Sequence, residues 1–154
     1  MDSNGFLTIK IFITGLCAAF SAAFGWMGWM LLAWVACMAL DWITGSVAAC
    51  KRGEWSSAVA REGIFHKAGM ICVVVISAIS DGVLCIVMEF IPALAGIHYT
   101  TVILPVVLVW YIFTELGSVA ENAAAMGANV PKFLVRILAA TKQAAEDSVP
   151  TDEQ

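Results

Sequence analysis

Three acids stand inside long apolar stretches of this sequence: Asp41, Asp81 and Glu115. A carboxyl group in hydrocarbon costs several kcal/mol on insertion scales, and more if it is ionised and unpaired. No Lys or Arg lies at a comparable depth along the apolar segments to neutralise them. Each must therefore hold a proton, face water, or hydrogen-bond across a helix interface. All three options place these acids in an assembly or along an aqueous path rather than against lipid. Glu89 is close enough to a segment end to reach the membrane–water interface.

The neighbours of the acids are polar or small. Thr44 and Gly45 follow Asp41 by three and four residues and share its helical face. Ser77, Ser80 and Gly82 surround Asp81. Around Glu115 a stripe of Tyr111, Glu115, Ser118 and Asn122 recurs at helical spacing, with Thr114 and Glu121 beside it. Gly45 with Ala49, Gly15 with Ala19 and Ala18 with Ala22 make small-xxx-small pairs, which allow close helix approach in lipid.

Catalytic chemistry finds little support. Asp41 and Asp81 could in principle share a proton as an acid pair, but no orienting base accompanies them. His66 and His98 are isolated, and no phosphate-binding glycine loop or nucleophile elbow occurs. Cys17, Cys37, Cys50, Cys72 and Cys85 form no Cys-x-x-Cys or zinc spacing and read as small hydrophobes in a reduced setting. The sequence predicts no enzyme, no cofactor and no metal.

The elements that must position these groups are membrane spans. Of the 154 residues, 61% are apolar and 13% charged, with a mean hydropathy of +0.89. Soluble domains run at roughly 45–50% and 25%. Eight Lys and Arg against twelve Asp and Glu leave a net charge of −4, which argues against nucleic acid. The apolar run from Phe6 to Leu40 would make a helix of about 52 Å, against about 30 Å of hydrocarbon. The stretch Gly25-Trp26-Met27-Gly28 offers the break, with Trp26 and Trp29 suited to an interface.

The fold class is thus all-α, an integral membrane protein with about four transmembrane helices, at about 6–24, 27–49, 68–90 and 99–117. Pro105 predicts a kink in the last. Together with a basic loop at 51–67 carrying Lys51, Arg52, Arg61 and Lys67, these spans make a transmembrane domain over 1–117. Residues 118–146 form cytoplasmic helices, and an acidic, disordered tail at 147–154 ends the chain. Gly127, Asn129 and Pro131 separate the helices of 118–146. From Pro131 to Glu146 the pattern is amphipathic: Phe133, Leu134, Ile137 and Leu138 share one face, and Lys132, Arg136 and Gln143 another. Lys132, Phe133, Arg136 and Ile137 suit an anionic membrane surface, although packing onto the protein's own loop competes with that reading. With four spans every basic residue falls on one side, so the positive-inside rule puts both termini in the cytoplasm. Cleavage near Ala18–Ala23 as a signal peptide is disfavoured, because only Lys10 and the acid Asp2 precede the apolar run.

Several motifs in order resemble the phage holin family that includes toxin-secretion holins of Gram-positive bacteria and their phages. They are Leu40-Asp41-Trp42-Ile43-Thr44-Gly45; Gly53-Glu54-Trp55-Ser56-Ser57, then Arg61-Glu62-Gly63-Ile64 and Lys67; Asp81; and Glu115, Ser118, Glu121-Asn122, then Gly127, Pro131, Leu134 and Leu138. The resemblance covers roughly residues 39–140. Thr114 and Trp42 depart from the commoner Asn and Tyr, and residues 1–38 match only in being apolar. The resemblance implies a homo-oligomer in the bacterial cytoplasmic membrane. Its lesions would release an endolysin, with no direct binding implied, or a toxin. Asp41, Thr44, Gly45, Asp81, Glu115, Ser118, Glu121 and Asn122 are the oligomer or pore candidates. The rivals are a small ion or solute channel subunit and a structural or regulatory membrane protein, including a non-lytic antiholin; an antiholin is also a possible partner.

Overall fold

A computed structural model describes residues 3–91 and 99–147. The connection expected at Pro92–His98, with His98, and the tail beyond Asp147 lie outside the described residues. Among the described residues the regular elements are four helices: α1 Ser3–Arg52, α2 Ser57–Phe90, α3 Ile103–Ala125 and α4 Lys132–Asp147. Three are long and apolar enough to cross a membrane, over Gly5–Arg52, Ala60–Phe90 and Ile103–Ala125. The protein is an all-α membrane protein.

The first two expected segments are two limbs of α1, divided at Gly25. Its backbone there has φ 59° and ψ −157°, a region open essentially to glycine alone. The break brings Trp29 back against the first limb. Its indole Nε1 donates to Ser21 Oγ at 2.9 Å, and its ring meets Phe20 edge-on at 5.0 Å. Gly28 makes this possible, because a Cβ there would sit 2.4 Å from Phe24 Cβ.

The second limb of α1, α2 and α3 form the bundle, with α3 at its centre: no residue from Ile103 to Ala120 is exposed. Trp34 stacks on Tyr111, and Thr44 reaches Asn122, so the limb runs parallel to α3. Lys67 meets Glu115 and Asp81 meets Leu104, so α2 runs antiparallel to it. On α2 the stripe Lys67, Met70, Val74, Ser77 and Asp81, spaced by three and four, is the inward face. Its last four members are 2–6% exposed. Trp34, Met38, Met70, Val74, Leu104, Leu108 and Tyr111 make the apolar core.

Three expectations are corrected. The basic loop of 51–67 shrinks to 53–56, because α2 starts at Ser57 and carries Arg61 and Lys67 on helix. Pro105 bends nothing, since it lies in the first turn of α3, where an N–H has no helical partner in any case. The fourth segment starts at Ile103 rather than at 99; its polar, Ala-rich part continues the same helix, as expected, and ends at Ala125. Lys51 Nζ donates to the Met126 carbonyl and so covers the C-terminal end of α3, where Gly127 takes φ 98°.

Candidate functional site

Helical spacing places Asp41, Thr44 and Gly45 on the face of α1 that meets α3, and Glu115 and Asn122 two turns apart on α3. Lys67 enters from α2. Its Nζ lies 3.0 Å from Asp41 Oδ2 and 2.6 Å from Glu115 Oε2. Asn122 Nδ2 donates to Asp41 Oδ1 at 3.1 Å and to Thr44 Oγ1 at 3.3 Å. The Thr44 hydroxyl in turn donates to the Leu40 carbonyl at 2.8 Å. Gly45 leaves room for Asn122, whose Nδ2 would lie 3.4 Å from an added Cβ. One ammonium thus joins three helices, with Glu115 buried and the other two partly so: the side chains of Lys67, Asp41 and Glu115 are 16%, 22% and 4% exposed.

This overturns the expectation that the acids lack a basic neighbour. Two of the three have one, supplied by a residue read as part of a loop. The available signal was the spacing of Lys67 from Asp81, four turns along one helix face. The node carries two carboxylates on one ammonium, a formal charge of −1. An open crevice of about 220 Å³ lined by Asp41, Gly45, Arg52, Trp55, Lys67 and Asn122 lies beside it.

Asp81 is elsewhere and does different work. Its carboxylate accepts from the backbone N–H of Val102 at 3.2 Å, Ile103 at 3.1 Å and Leu104 at 2.7 Å. A helix leaves its first four N–H groups unpaired. Here three go to Asp81, and the fourth position is Pro105, which has none. Asp81, from α2, therefore caps the start of α3, whose own N-cap residue Val102 offers no capping side chain, at the end where the helix dipole favours a negative charge. Tyr99 Oη completes the shell at 2.6 Å. That bond to Asp81 pushes the Tyr99 phenol up to about 12, so it stays a donor at any ordinary pH.

Asp41 and Asp81 do not meet, so the acid-pair arrangement is absent. Ser118 donates back to the Thr114 carbonyl at 3.3 Å. Ser118 and Glu121 line a groove of about 630 Å³ between α3 and α4, apart from the Lys67 node. Of the other basic residues, Lys51 covers the end of α3, Arg52 pairs with Glu54 at 2.7 Å, and Arg61 is exposed. His66 is exposed as well.

The face expected along α4 divides. Leu138 is buried and faces α3, whereas Phe133 and Ile137 are 66% and 53% exposed, next to exposed Lys132 and Arg136. Sequence reasoning missed the contacts of Trp110. Its Nε1 donates to Glu146 Oε1 at 2.6 Å, and Lys142 Nζ lies 4.7 Å above its ring.

Comparison with known proteins agrees with the motifs. The profile of the bacteriophage holin family matches residues 18–143. An uncharacterized protein of Halalkalibacterium halodurans is 34% identical over 127 residues, covering 82% of this chain and 88% of its own length. An uncharacterized protein of Listeria innocua is 30% identical over 132 residues, covering 86% and 85%. One from Listeria monocytogenes is 30% identical over 130 residues, covering 84% of each. No solved structure matches.

Proposed function

Because this chain belongs to the bacteriophage holin family, we propose that it is a holin: it self-associates in the bacterial cytoplasmic membrane and opens lesions through which an endolysin, or a toxin, leaves the cell. The family match over 18–143 carries this reading. With both termini inside, Lys51, Arg52, Arg61, Lys132 and Arg136 face the cytoplasm.

The Lys67 node suggests how one chain serves as both a quiet membrane protein and a lesion. Closed, Asp41, Lys67, Glu115 and Asn122 satisfy one another between three helices. Parted, the same groups are the ones that tolerate water, and they would face the aqueous side of an opening between copies. Breaking the node in lipid without water is costly, because each partner becomes an unpaired charge. Opening therefore favours many copies parting together around shared water. Asp81 would hold α3 to α2 throughout. No catalytic step is involved.

The test is inducible expression in bacteria, with and without a cytoplasmic endolysin that lacks an export signal. Culture density and release of a large cytoplasmic reporter are followed. Abrupt lysis only with both proteins is the expected result. Depolarisation with no reporter release would mean a small channel, and no effect from membrane-inserted protein would mean a non-lytic antiholin; either overturns the proposal.

A further inference from the structure

The helix α4 has two apolar stripes, and the bundle uses only one. Leu138 and Ala145 turn toward α3 and are 8% and 9% exposed, while Val135 lines the groove beside them and stays half exposed. Phe133, Ile137, Ala140 and Ala144, spaced by four, three and four, form the second stripe, and all are exposed. Lys132 and Arg136 flank this stripe and are exposed too. The helix is thus docked by the edge of its apolar face, with the middle of that face uncovered.

The docking is apolar at Leu138 and Ala145 and polar at its tip. A groove of about 630 Å³ separates α3 from α4. At the far end Glu146 and Lys142 of α4 meet Trp110, which also packs on Tyr111 of its own helix. The two helices are antiparallel, so α4 runs back about 22 Å from the end of α3 to the level of Trp110. A bilayer of any headgroup raises the cost of that position, so that headgroup charge can tip the balance. With α3 inserted, exposed Gln143, Glu146 and Asp147 would be carried toward hydrocarbon, at several kcal/mol for each ionised group.

We propose that α4 is a strap that exchanges partners: it leaves α3 and lies on the anionic headgroup surface at the basic end of the bundle, with Phe133 and Ile137 in the acyl boundary and Lys132 and Arg136 on the phosphates. The connection at 126–131, with Gly127 at φ 98°, is the pivot. Charge fixes the occupant. The cations border the uncovered stripe in the first turns of α4, which follow the end of α3 that Lys51 covers at Met126, where headgroups are within reach. Release uncovers the α3 face that bears Trp110, Thr114, Gly117 and Ser118. The exchange of α4 between α3 and the headgroups requires no lysis.

The full chain, with its native cysteines replaced and Gln143→Cys labelled with bimane, is reconstituted into phosphatidylcholine vesicles with or without phosphatidylglycerol. Trp110 quenches bimane in the docked state, and the same chain with Trp110→Phe gives the unquenched reference in each lipid. The reference is expected to be several-fold brighter in neutral vesicles and equal in anionic ones, and Phe133→Ser with Ile137→Ser should restore quenching in anionic vesicles. Equal quenching in both lipids overturns the proposal. So does loss of quenching that follows protein density rather than lipid charge, which would mean a second copy on the stripe. If the cysteine-free chain does not fold, amide exchange on the unaltered chain decides. Slower exchange over 134–145 in anionic vesicles supports the strap, and equal exchange overturns it.

Discussion

The Lys67 ammonium lies 2.6 Å from the carboxylate of Glu115, a side chain only 4% exposed, while it also holds Asp41 from a third helix. Arithmetic at this node fixes an order of effects. Lys67→Met leaves two carboxylates facing each other. Glu115→Gln and Asp41→Asn each leave one acid on one ammonium. Removing one partner of a buried pair costs about 3–5 kcal/mol, so Lys67→Met should lower stability by that order and the amides by much less. Thermal unfolding in detergent ranks the three. Equal losses would show that the node is not an ion-pair centre. In the lysis assay the same order should appear as earlier onset, Lys67→Met first.

Asp81 calls for a different pattern, because it caps rather than pairs. Asp81→Ala leaves three backbone N–H groups without an acceptor and should cost at least the 0.5–2 kcal/mol, roughly, of an ordinary cap. Asp81→Asn keeps an acceptor but loses the charge at the helix N-terminus and should fall between Asp81→Ala and the natural chain. Amide exchange would locate the loss at the start of α3. Loss spread evenly over α1 and α3 would rule out the capping role.

Tyr99 gives this cap an alkaline limit. Its phenol is raised from the usual 10 to about 12 by the bond to Asp81. A folded-state value above the unfolded one stabilises fully below pH 10, and that contribution is lost as pH rises through 12. Tyr99→Phe should lower stability at neutral pH and flatten the decline between pH 10 and 12. Unfolding midpoints across that range, compared with the natural chain, check the slope. An unchanged slope would mean that the phenol does not donate to Asp81.

Much of this arrangement was legible in the sequence. Gly25 could be picked as a break because an apolar run of that length cannot be one straight span, and the acids could be picked because hydrocarbon excludes them. Two kinds of relationship were hidden. Lys67 looked solvated because charge density set the edge of the loop, whereas the helix begins ten residues earlier and its periodicity turns Lys67 inward. Asp81 looked like a pore acid because no local pattern announces a cap supplied from another helix. Only the start of α3, brought beside α2, reveals it. The resemblance likewise pointed to Asp41, Glu115 and Asn122 without saying that they would meet within one chain.

The break at Gly25 makes its own demand. Gly25→Ala puts a Cβ into a backbone region that costs about 1–3 kcal/mol for a non-glycine residue. Gly28→Ala places a Cβ 2.4 Å from Phe24 Cβ. Both should straighten α1 and part Trp29 from Ser21. Spin labels at Ile9 and Val35 should then move apart, while Gly5→Ala, with open space around its Cβ, leaves the distance unchanged. An unchanged distance in Gly25→Ala would exclude the bent α1.

Gly45 separates packing within a chain from packing between copies. As a small residue next to Ala49 it invites close approach by a neighbouring helix, and here that neighbour is α3 of the same chain, at Asn122. An added Cβ would stand 3.4 Å from Asn122 Nδ2, an ordinary contact. Alanine is also favoured over glycine inside a helix by about 1 kcal/mol. Gly45→Ala should therefore match or exceed the natural stability and delay lysis. Gly45→Leu has no such room: it should push α1 from α3, break the Asn122–Asp41 bond and lower the unfolding midpoint even at protein densities where the chain is monomeric. If Gly45→Leu leaves the monomer intact and changes only self-association, Gly45 faces a second copy, and the contact with Asn122 is not the one that limits its size.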